Sequence, residues 1–170
     1  ERAAIGGALC RPACPLCSAG ARSSAYVAVG VCGRQVIDIS VPASPAIVCS
    51  VETPGYPRGV AFAGNYTYVA DGESGLQVID ISVPEFPAIV RAVDTPGYPY
   101  GVAVVGNYAY VADCESGLQV IDILVPESAA IVGAVETPGE AQGVAVAGNY
   151  SYVADGASGL QVIESSVPDS

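Results

Sequence analysis

Gly106-Asn107-Tyr108-Ala109-Tyr110-Val111-Ala112-Asp113 is the stretch that decides the fold, because it occurs three times at a constant spacing, with Thr67 or Ser151 in place of Ala109 in the other copies. The other copies begin at Gly64 and Gly148, so the step is 42 residues. A second conserved string, Gly-Leu-Gln-Val-Ile, follows each copy at the same distance. A strict period of this length is typical of one supersecondary unit repeated in series.

Each unit contains four short apolar segments separated by turn-forming residues. Gly106-Asn107 fits a two-residue hairpin turn, and Val125-Pro126 and Pro138-Gly139 break the later segments. No segment has helical periodicity. We therefore predict an all-β protein whose four-stranded antiparallel units are β-propeller blades. The strands of the best-defined unit are predicted at residues 101–105, 108–112, 118–123 and 130–136.

The array covers nearly the whole chain. We predict units at residues 17–58, 59–100, 101–142 and 143–170, with residues 1–16 as a degenerate Cys-rich lead-in or a closing strand for the last blade. Two arrangements remain open, a complete four-bladed ring and part of a larger propeller. An incomplete arc would expose blade edges and allow self-association.

The strings Gly-Asn-Tyr-Ala-Tyr-Val-Ala-Asp, Gly-Leu-Gln-Val-Ile-Asp-Ile and Val-Pro-Glu resemble the LVIVD repeat over about residues 22–168. This resemblance implies a β-propeller. It also implies a location outside the cytoplasm, at the cell surface, in the periplasm or secreted, because the family is known mostly from bacterial and archaeal surface proteins. It carries no shared catalytic motif. YVTN-type surface propellers are the next most similar repeats.

Composition and charge exclude several function classes. The net charge is −11, and all six basic residues are Arg, which is too few for a nucleic-acid footprint. The same charge disfavours anionic membrane surfaces, and no apolar run is long enough to insert into a membrane. Histidine is absent, which removes the commonest general base and metal ligand. We therefore expect a protein that is not an enzyme.

One face of the predicted propeller collects the connections between blades and the turns between second and third strands. That face varies most between units, since Tyr98-Pro99-Tyr100 becomes Glu140-Ala141-Gln142. A variable rim on a constant scaffold is typical of a binding surface, although loops also drift neutrally. The candidate ligand-binding residues, for a protein or carbohydrate ligand, are Tyr56, Arg58, Tyr98, Tyr100 and Glu140.

Paired carboxylates in two of the turns give a calcium hypothesis, and no other cofactor is expected. The candidates are Asp71 and Glu73 in one unit and Asp113 and Glu115 in the next. Oxygen ligands at alternating loop positions can hold Ca²⁺. Alternatively, each Asp caps its own turn through hydrogen bonds to backbone. Asp38, Asp80 and Asp122, which end the third strands, are interpreted as structural acceptors of loop N–H groups.

Cys14 and Cys17 form a CxxC pair near the start of the chain. This spacing permits a disulfide or a thiol pair, and Zn²⁺ would require a second cysteine pair. The function predicted from these observations is a non-catalytic surface or secreted propeller that acts as a binding scaffold. The alternatives are a carboxylate-rich enzyme or Ca²⁺-binding domain, and a purely structural segment of a longer wall-associated protein.

Overall fold

The computed structural model describes residues 17–21, 24–28, 34–38, 40–41, 43–44, 46–83 and 85–165, with side chains from residue 37 onward. In these ranges the chain forms fifteen strands, arranged as four antiparallel sheets. Blade 1 contains β1 (Cys17–Ala21), β2 (Ser24–Ala28), β3 (Arg34–Asp38) and β4 (Ala46–Val51); blade 2 contains β5 (Gly59–Ala63), β6 (Tyr66–Ala70), β7 (Leu76–Asp80) and β8 (Ala88–Val93). Blade 3 contains β9 (Gly101–Val105), β10 (Tyr108–Ala112), β11 (Leu118–Asp122) and β12 (Ala130–Val135); blade 4 contains β13 (Gly143–Ala147), β14 (Tyr150–Ala154) and β15 (Leu160–Glu164).

Each blade is a meander in which consecutive strands pair. Val105 pairs with Tyr108 across a two-residue hairpin whose Gly106 has a φ of 58°. This positive φ is readily adopted by glycine. The pairing of the third and fourth strands shifts between Val120 and Ile121, and the same bulge recurs in blades 1 and 2. The third and fourth strands each end one residue earlier than predicted, and after the third strand Ile123 donates its N–H to the carbonyl of Asn107.

The first strands of successive blades pack side by side, β1 against β5, β5 against β9 and β9 against β13. Four antiparallel sheets stacked in this way around a common axis are propeller blades. The predicted fold is therefore confirmed. In the described part of the chain, β13 does not pack against β1, so the blades form an open arc. The closing strand predicted within residues 1–16 lies outside the described residues.

The core lies between the blades, because the two faces of every sheet carry different side chains. We call the face toward the following blade the forward face and the opposite one the rear face. On the forward face of blade 2, Tyr68 and Leu76 are buried against Val111 and Ile121 on the rear face of blade 3. Tyr68 packs fully between the two blades, since it is 1% exposed.

Hydrogen bonds fix the loops on the face opposite the connectors. The carboxylates of Asp38, Asp80 and Asp122 each accept an N–H from the residue two positions on, at 2.7–2.8 Å. The structural interpretation of these three aspartates is confirmed. Among the described residues, no helix is long and apolar enough to cross a membrane.

Candidate functional site

The connector face is the face that carries the links between blades and the turns between second and third strands. The predicted grouping of these loops is seen in the contacts. Tyr56, in the link before β5, donates its N–H to the carbonyl of Asp71 at 3.2 Å. A Cβ built on Gly72 would lie 2.7 Å from the ring of Tyr98, which belongs to the link before β9. The turn of blade 2 therefore touches both the link into its own blade and the link into the next, and the turn of blade 3 does the same through Gly97 and Ala141.

A carboxylate clamp holds each of these turns in place. In blade 2, Asp71 accepts a hydrogen bond from the hydroxyl of Thr53 at 2.6 Å and another from the N–H of Gly55 at 2.9 Å. The same two bonds recur in blade 3 and in blade 4. The donors are Thr95 and Gly97 for Asp113, and Thr137 and Gly139 for Asp155. Because both oxygens of each carboxylate are bonded, the clamp ties the entering link rigidly to the turn.

The clamp aspartates are buried. Asp71, Asp113 and Asp155 are all 0% exposed. Burial raises the pKa of the Asp71 carboxyl above its usual value, and the bonds from Thr53 and Gly55 offset only part of this effect. Burial likewise raises the pKa of Asp113, with a further contribution from the nearby charge of Asp94. Desolvation thus outweighs hydrogen bonding at both positions.

The geometry separates the members of the predicted calcium pairs. Glu73 and Glu115 are exposed, whereas Asp71 and Asp113 are buried with both oxygens engaged by the clamp. Ca²⁺ requires six to eight oxygen ligands directed at one point. Within the described ranges, no three or more acidic, cysteine or histidine side chains converge in such an arrangement. The turn-capping alternative explains the position of the Asp side chains, and calcium binding stays a prediction.

A cation–aromatic cluster occupies the connector face between blades 2 and 3. The guanidinium carbon of Arg58 lies 4.3 Å from the ring centroid of Tyr100 and 5.5 Å from that of Tyr98. The two rings are 5.7 Å apart and tilted by 50°. The Nε of Arg58 is buried without a hydrogen-bond partner. Cation–π attraction therefore holds this arginine, since no carboxylate in the described part of the chain pairs with it.

The remaining two candidates lie at the equivalent positions of neighbouring links. Tyr56 precedes this cluster by one repeat and is 45% exposed, and Glu140 follows it by one repeat and is exposed. The structure therefore brings Arg58, Tyr98 and Tyr100 into contact and places Tyr56 and Glu140 on either side of them along the same face. Binding by these residues stays a prediction.

Cys114 is a further feature of this face, and the spacing of the repeats does not mark it as a site residue. It stands where the other blades have Gly72 and Gly156, and its φ of 51° is in the left-handed region. Cys114 and Ala141 exchange backbone hydrogen bonds of 3.0 Å each. Burial raises the pKa of its thiol. Two positions of the repeat change together in the sequence. In blade 2, Tyr98 covers Gly72. One repeat later, Cys114 takes the position of Gly72 and Glu140 takes that of Tyr98.

Of the CxxC pair, Cys14 lies outside the described residues, and Cys17 begins β1 with no described side chain. Cys49 is a free thiol on β4. The thiol-pair hypothesis therefore stays a prediction.

The sequence matches the LVIVD repeat at residues 24–53, 54–95, 96–137 and 138–168. No curated protein matches it.

Several solved structures share the fold. The computationally designed protein Ika4 superposes with a TM-score of 0.71 and 12% identity, over 95% of this chain and 95% of its own. The designed protein Ika8 gives a TM-score of 0.68 at 11% identity, over 87% of this chain and 45% of its own. AztD from Citrobacter koseri gives 0.61 at 19% identity, over 89% and 43%. The chain thus spans less than half of Ika8 and AztD, and identities this low show shared fold alone.

Proposed function

We propose, from the premise that this chain belongs to the LVIVD repeat family, that it is a non-catalytic scaffold that binds a protein ligand outside the cytoplasm. The location rests on the family resemblance. The binding site is the connector face at the cluster of Arg58, Tyr98 and Tyr100. The observation that supports the proposal most is the stacked guanidinium of Arg58, which is held in place by rings and not by an acidic partner.

The local chemistry favours a protein ligand over a carbohydrate. Tyrosine and arginine are enriched at protein interfaces, where they act as rigid anchors. A sugar platform requires an open aromatic face, but the face of Tyr100 is covered by the guanidinium of Arg58. The terminal N–H groups of that guanidinium suit a carboxylate or carbonyl oxygen of the ligand.

The scaffold under the cluster is suited to presenting fixed side chains. Each link is tied to its turn by two hydrogen bonds from the clamp, and each turn is tied to its own third strand by a glutamine. In blade 3, the side-chain amide of Gln119 donates to the carbonyl of Ser116 at 2.8 Å. Preorganised side chains bind with a smaller loss of conformational entropy.

A paired screen tests this proposal. The protein is screened against a random peptide display library and against a glycan array, and the selected ligands are measured again with Arg58→Ala. We expect peptide ligands, with binding to Arg58→Ala weaker by at least about tenfold. Phe86→Ala is the control, because Phe86 is 81% exposed on a loop of the opposite face and its loss leaves the connector face unchanged. Ligands that are all glycans, or peptides insensitive to Arg58→Ala, would contradict the proposal.

Calcium distinguishes this proposal from the metal-binding alternative. A scaffold whose clamp aspartates are already bonded to threonine and glycine gains no stability from the ion. Thermal melting with and without millimolar calcium should give the same midpoint. A calcium-dependent increase that disappears in Glu73→Gln and Glu115→Gln would favour the alternative.

A further inference from the structure

The hairpin turn between β5 and β6 leads into a modification signal that the binding scaffold does not use. Asn65-Tyr66-Thr67 fits the acceptor sequence for N-linked sugars, which is Asn, any residue except Pro, and then Ser or Thr. The equivalent stretch of blade 3, Asn107-Tyr108-Ala109, lacks the hydroxyl. The two copies of the signal therefore differ in one side chain.

Asn65 lies where the folded protein can carry a sugar. It is exposed, and a Cβ built on the adjacent Gly64 would meet no atom within 4 Å. The carbonyl of Asn65 accepts the N–H of Ile81 at 2.8 Å, so the turn lies beside the loop that follows β7, on the face opposite the connector face. A sugar chain on Asn65 therefore projects into solvent and leaves the connector face open.

The hydroxyl of Thr67 is the informative part of the signal, because the asparagine recurs as Asn107 in a turn without it. Thr67 is 0% exposed, and its hydroxyl has no hydrogen-bond partner in the described part of the chain. Ala109, at the same position of blade 3, is also 0% exposed and has no hydroxyl to satisfy. A buried polar group without a partner lowers stability. The folded structure therefore gives no reason for a hydroxyl at residue 67.

A role before folding accounts for this hydroxyl. A transferase that recognises the acceptor sequence must reach the hydroxyl of Thr67, which the folded blade hides. We propose that Asn65 is N-glycosylated before blade 2 folds, by a transferase that recognises Thr67. This proposal rests on the location outside the cytoplasm proposed above, because sequons of this kind mark surface loops of secreted proteins.

The reaction is a group transfer without oxidation or reduction. The donor belongs to the class of sugars joined through the anomeric carbon to a polyprenyl phosphate. The side-chain amide nitrogen of Asn65 forms a bond to that carbon, and the bond from the carbon to the phosphate oxygen breaks. The lipid phosphate leaves with the electron pair, and the proton lost by the amide passes to the solvent.

The proposal is confined to Asn65. Asn149-Tyr150-Ser151 fits the same acceptor sequence, but the hydroxyl of Ser151 lies 2.8 Å from that of Ser165 and is hydrogen-bonded to it. Ser165 stands where blades 2 and 3 have Ile81 and Ile123. The folded structure therefore accounts for the hydroxyl of Ser151 without any modification.

The test is mass spectrometry of the protein purified from the cells that produce it. Trypsin cleaves after Arg58 and Arg91, and Asn65 is the only asparagine of peptide 59–91. We expect this peptide to carry the added mass of sugar residues, with fragmentation placing them on Asn65. Asn107, in the equivalent turn, should be unmodified in the same sample.

Matched variants made in the same cells test the role of the hydroxyl. Thr67→Ala should abolish the added mass while keeping Asn65, and the fold tolerates it because blade 3 has Ala109 at this position. Thr67→Ser keeps a hydroxyl and should remain modified. Ala109→Thr completes the acceptor sequence of blade 3, so Asn107 should then gain sugar. Circular dichroism of each variant checks that the sheets remain folded.

Fractionation of the same cells distinguishes the two proposals. An exported protein with unmodified Asn65 would overturn the glycosylation and leave the binding scaffold intact. A protein retained in the cytoplasm would overturn the location on which both rest. Sugar that persists on Asn65 in Thr67→Ala, or an unmodified Asn107 in Ala109→Thr, would show that the hydroxyl is not what the transferase recognises.

Discussion

Blades 3 and 4 have nearly the same sequence, but their forward faces lie in opposite environments. Leu118 and Leu160 both begin the third strand after a Ser-Gly turn, and their exposed fractions are 0% and 64%. The clamp does not differ in this way, since Asp113 and Asp155 are both 0% exposed. The comparison separates two contributions to the fold. The clamp needs only a blade's own turn and the link that enters the blade, whereas the apolar core requires the following blade.

Truncating the two leucines should show the largest difference between the blades. Leu118→Ala should lower the free energy of unfolding by about 2–5 kcal/mol, because it leaves a cavity between blades 3 and 4. Leu160→Ala should change the free energy of unfolding by less than about 0.5 kcal/mol, because Leu160 is exposed. Urea denaturation at high dilution measures both. An equal loss in the two variants would show that the forward face of blade 4 is covered within the single chain.

Breaking the clamp should affect the two blades alike. Thr95→Val and Thr137→Val each remove one hydrogen bond from a buried carboxylate, at 2.8 and 2.5 Å. Each should lower the free energy of unfolding by about 1–3 kcal/mol, because a buried acceptor loses its partner. Urea denaturation gives the two values. A loss in blade 3 alone would mean that the clamp also depends on the following blade.

Thr67→Val is the control for these substitutions. The hydroxyl of Thr67 is buried without a hydrogen-bond partner. Replacing it with a methyl group removes an unsatisfied polar group from the junction with the preceding blade. The variant should be as stable as the parent protein or more stable.

Most of the fold could be predicted from the sequence because it is local. The 42-residue period and the turn residues define the strands, and consecutive strands pair. Strand parity also places Tyr56, Arg58 and Tyr98 on one face. Burial between blades could not be predicted in the same way, because Leu118 and Leu160 are identical in their own repeats and differ only in what packs on them.

The site was only partly predictable for a similar reason. The sequence pairs Asp71 with Glu73 by spacing, but the structure pairs Asp71 with Thr53, which lies 18 residues earlier. This partner becomes visible only when the register between the link and the turn is known. The stacking of Arg58 on Tyr100 joins two blades and has no counterpart in the other repeats, so periodicity carries no signal for it.

The turn of blade 3 differs from those of blades 2 and 4 because it has Cys114 where they have glycine, and substituting this cysteine tests the difference. Cys114→Gly should raise the free energy of unfolding by up to about 1 kcal/mol. A non-glycine residue in the left-handed region costs about 1–2 kcal/mol, and glycine removes this cost. Part of the gain in stability is lost, because glycine also gives the unfolded chain more conformational freedom. Thermal and urea denaturation in the presence of a reductant measure the change.

The reciprocal substitution, Gly72→Ala, should be destabilising, because its Cβ would lie 2.7 Å from the ring of Tyr98. If both substitutions destabilised the protein, the thiol of Cys114 would contribute packing that outweighs the backbone strain.

The smallest expected effect is a pH dependence of the clamp, because burial and hydrogen bonds act on the carboxyl pKa in opposite directions. The pKa of Asp113 is raised in the folded protein, so the unfolded chain releases this proton first. Stability from this group is therefore fully present below the unfolded pKa of about 3.9 and decreases as the pH rises through the raised folded value. Asp113→Asn removes this titration, so the stability of the parent protein relative to the variant should be greatest near pH 4.

Asp94→Asn sharpens this prediction, because the exposed Asp94 raises the pKa of Asp113 and is not among the groups that shift the pKa of Asp71. Removing the charge of Asp94 should move the pH window of Asp113 downward and leave that of Asp71 unchanged. Urea denaturation of the single and double variants between about pH 4 and 7 separates the two aspartates, since the repulsion from the remaining net charge is common to all of them. A relative stability that increases toward pH 7 would mean that the bonds from Thr95 and Gly97 outweigh burial, and the clamp would then stabilise its charged form.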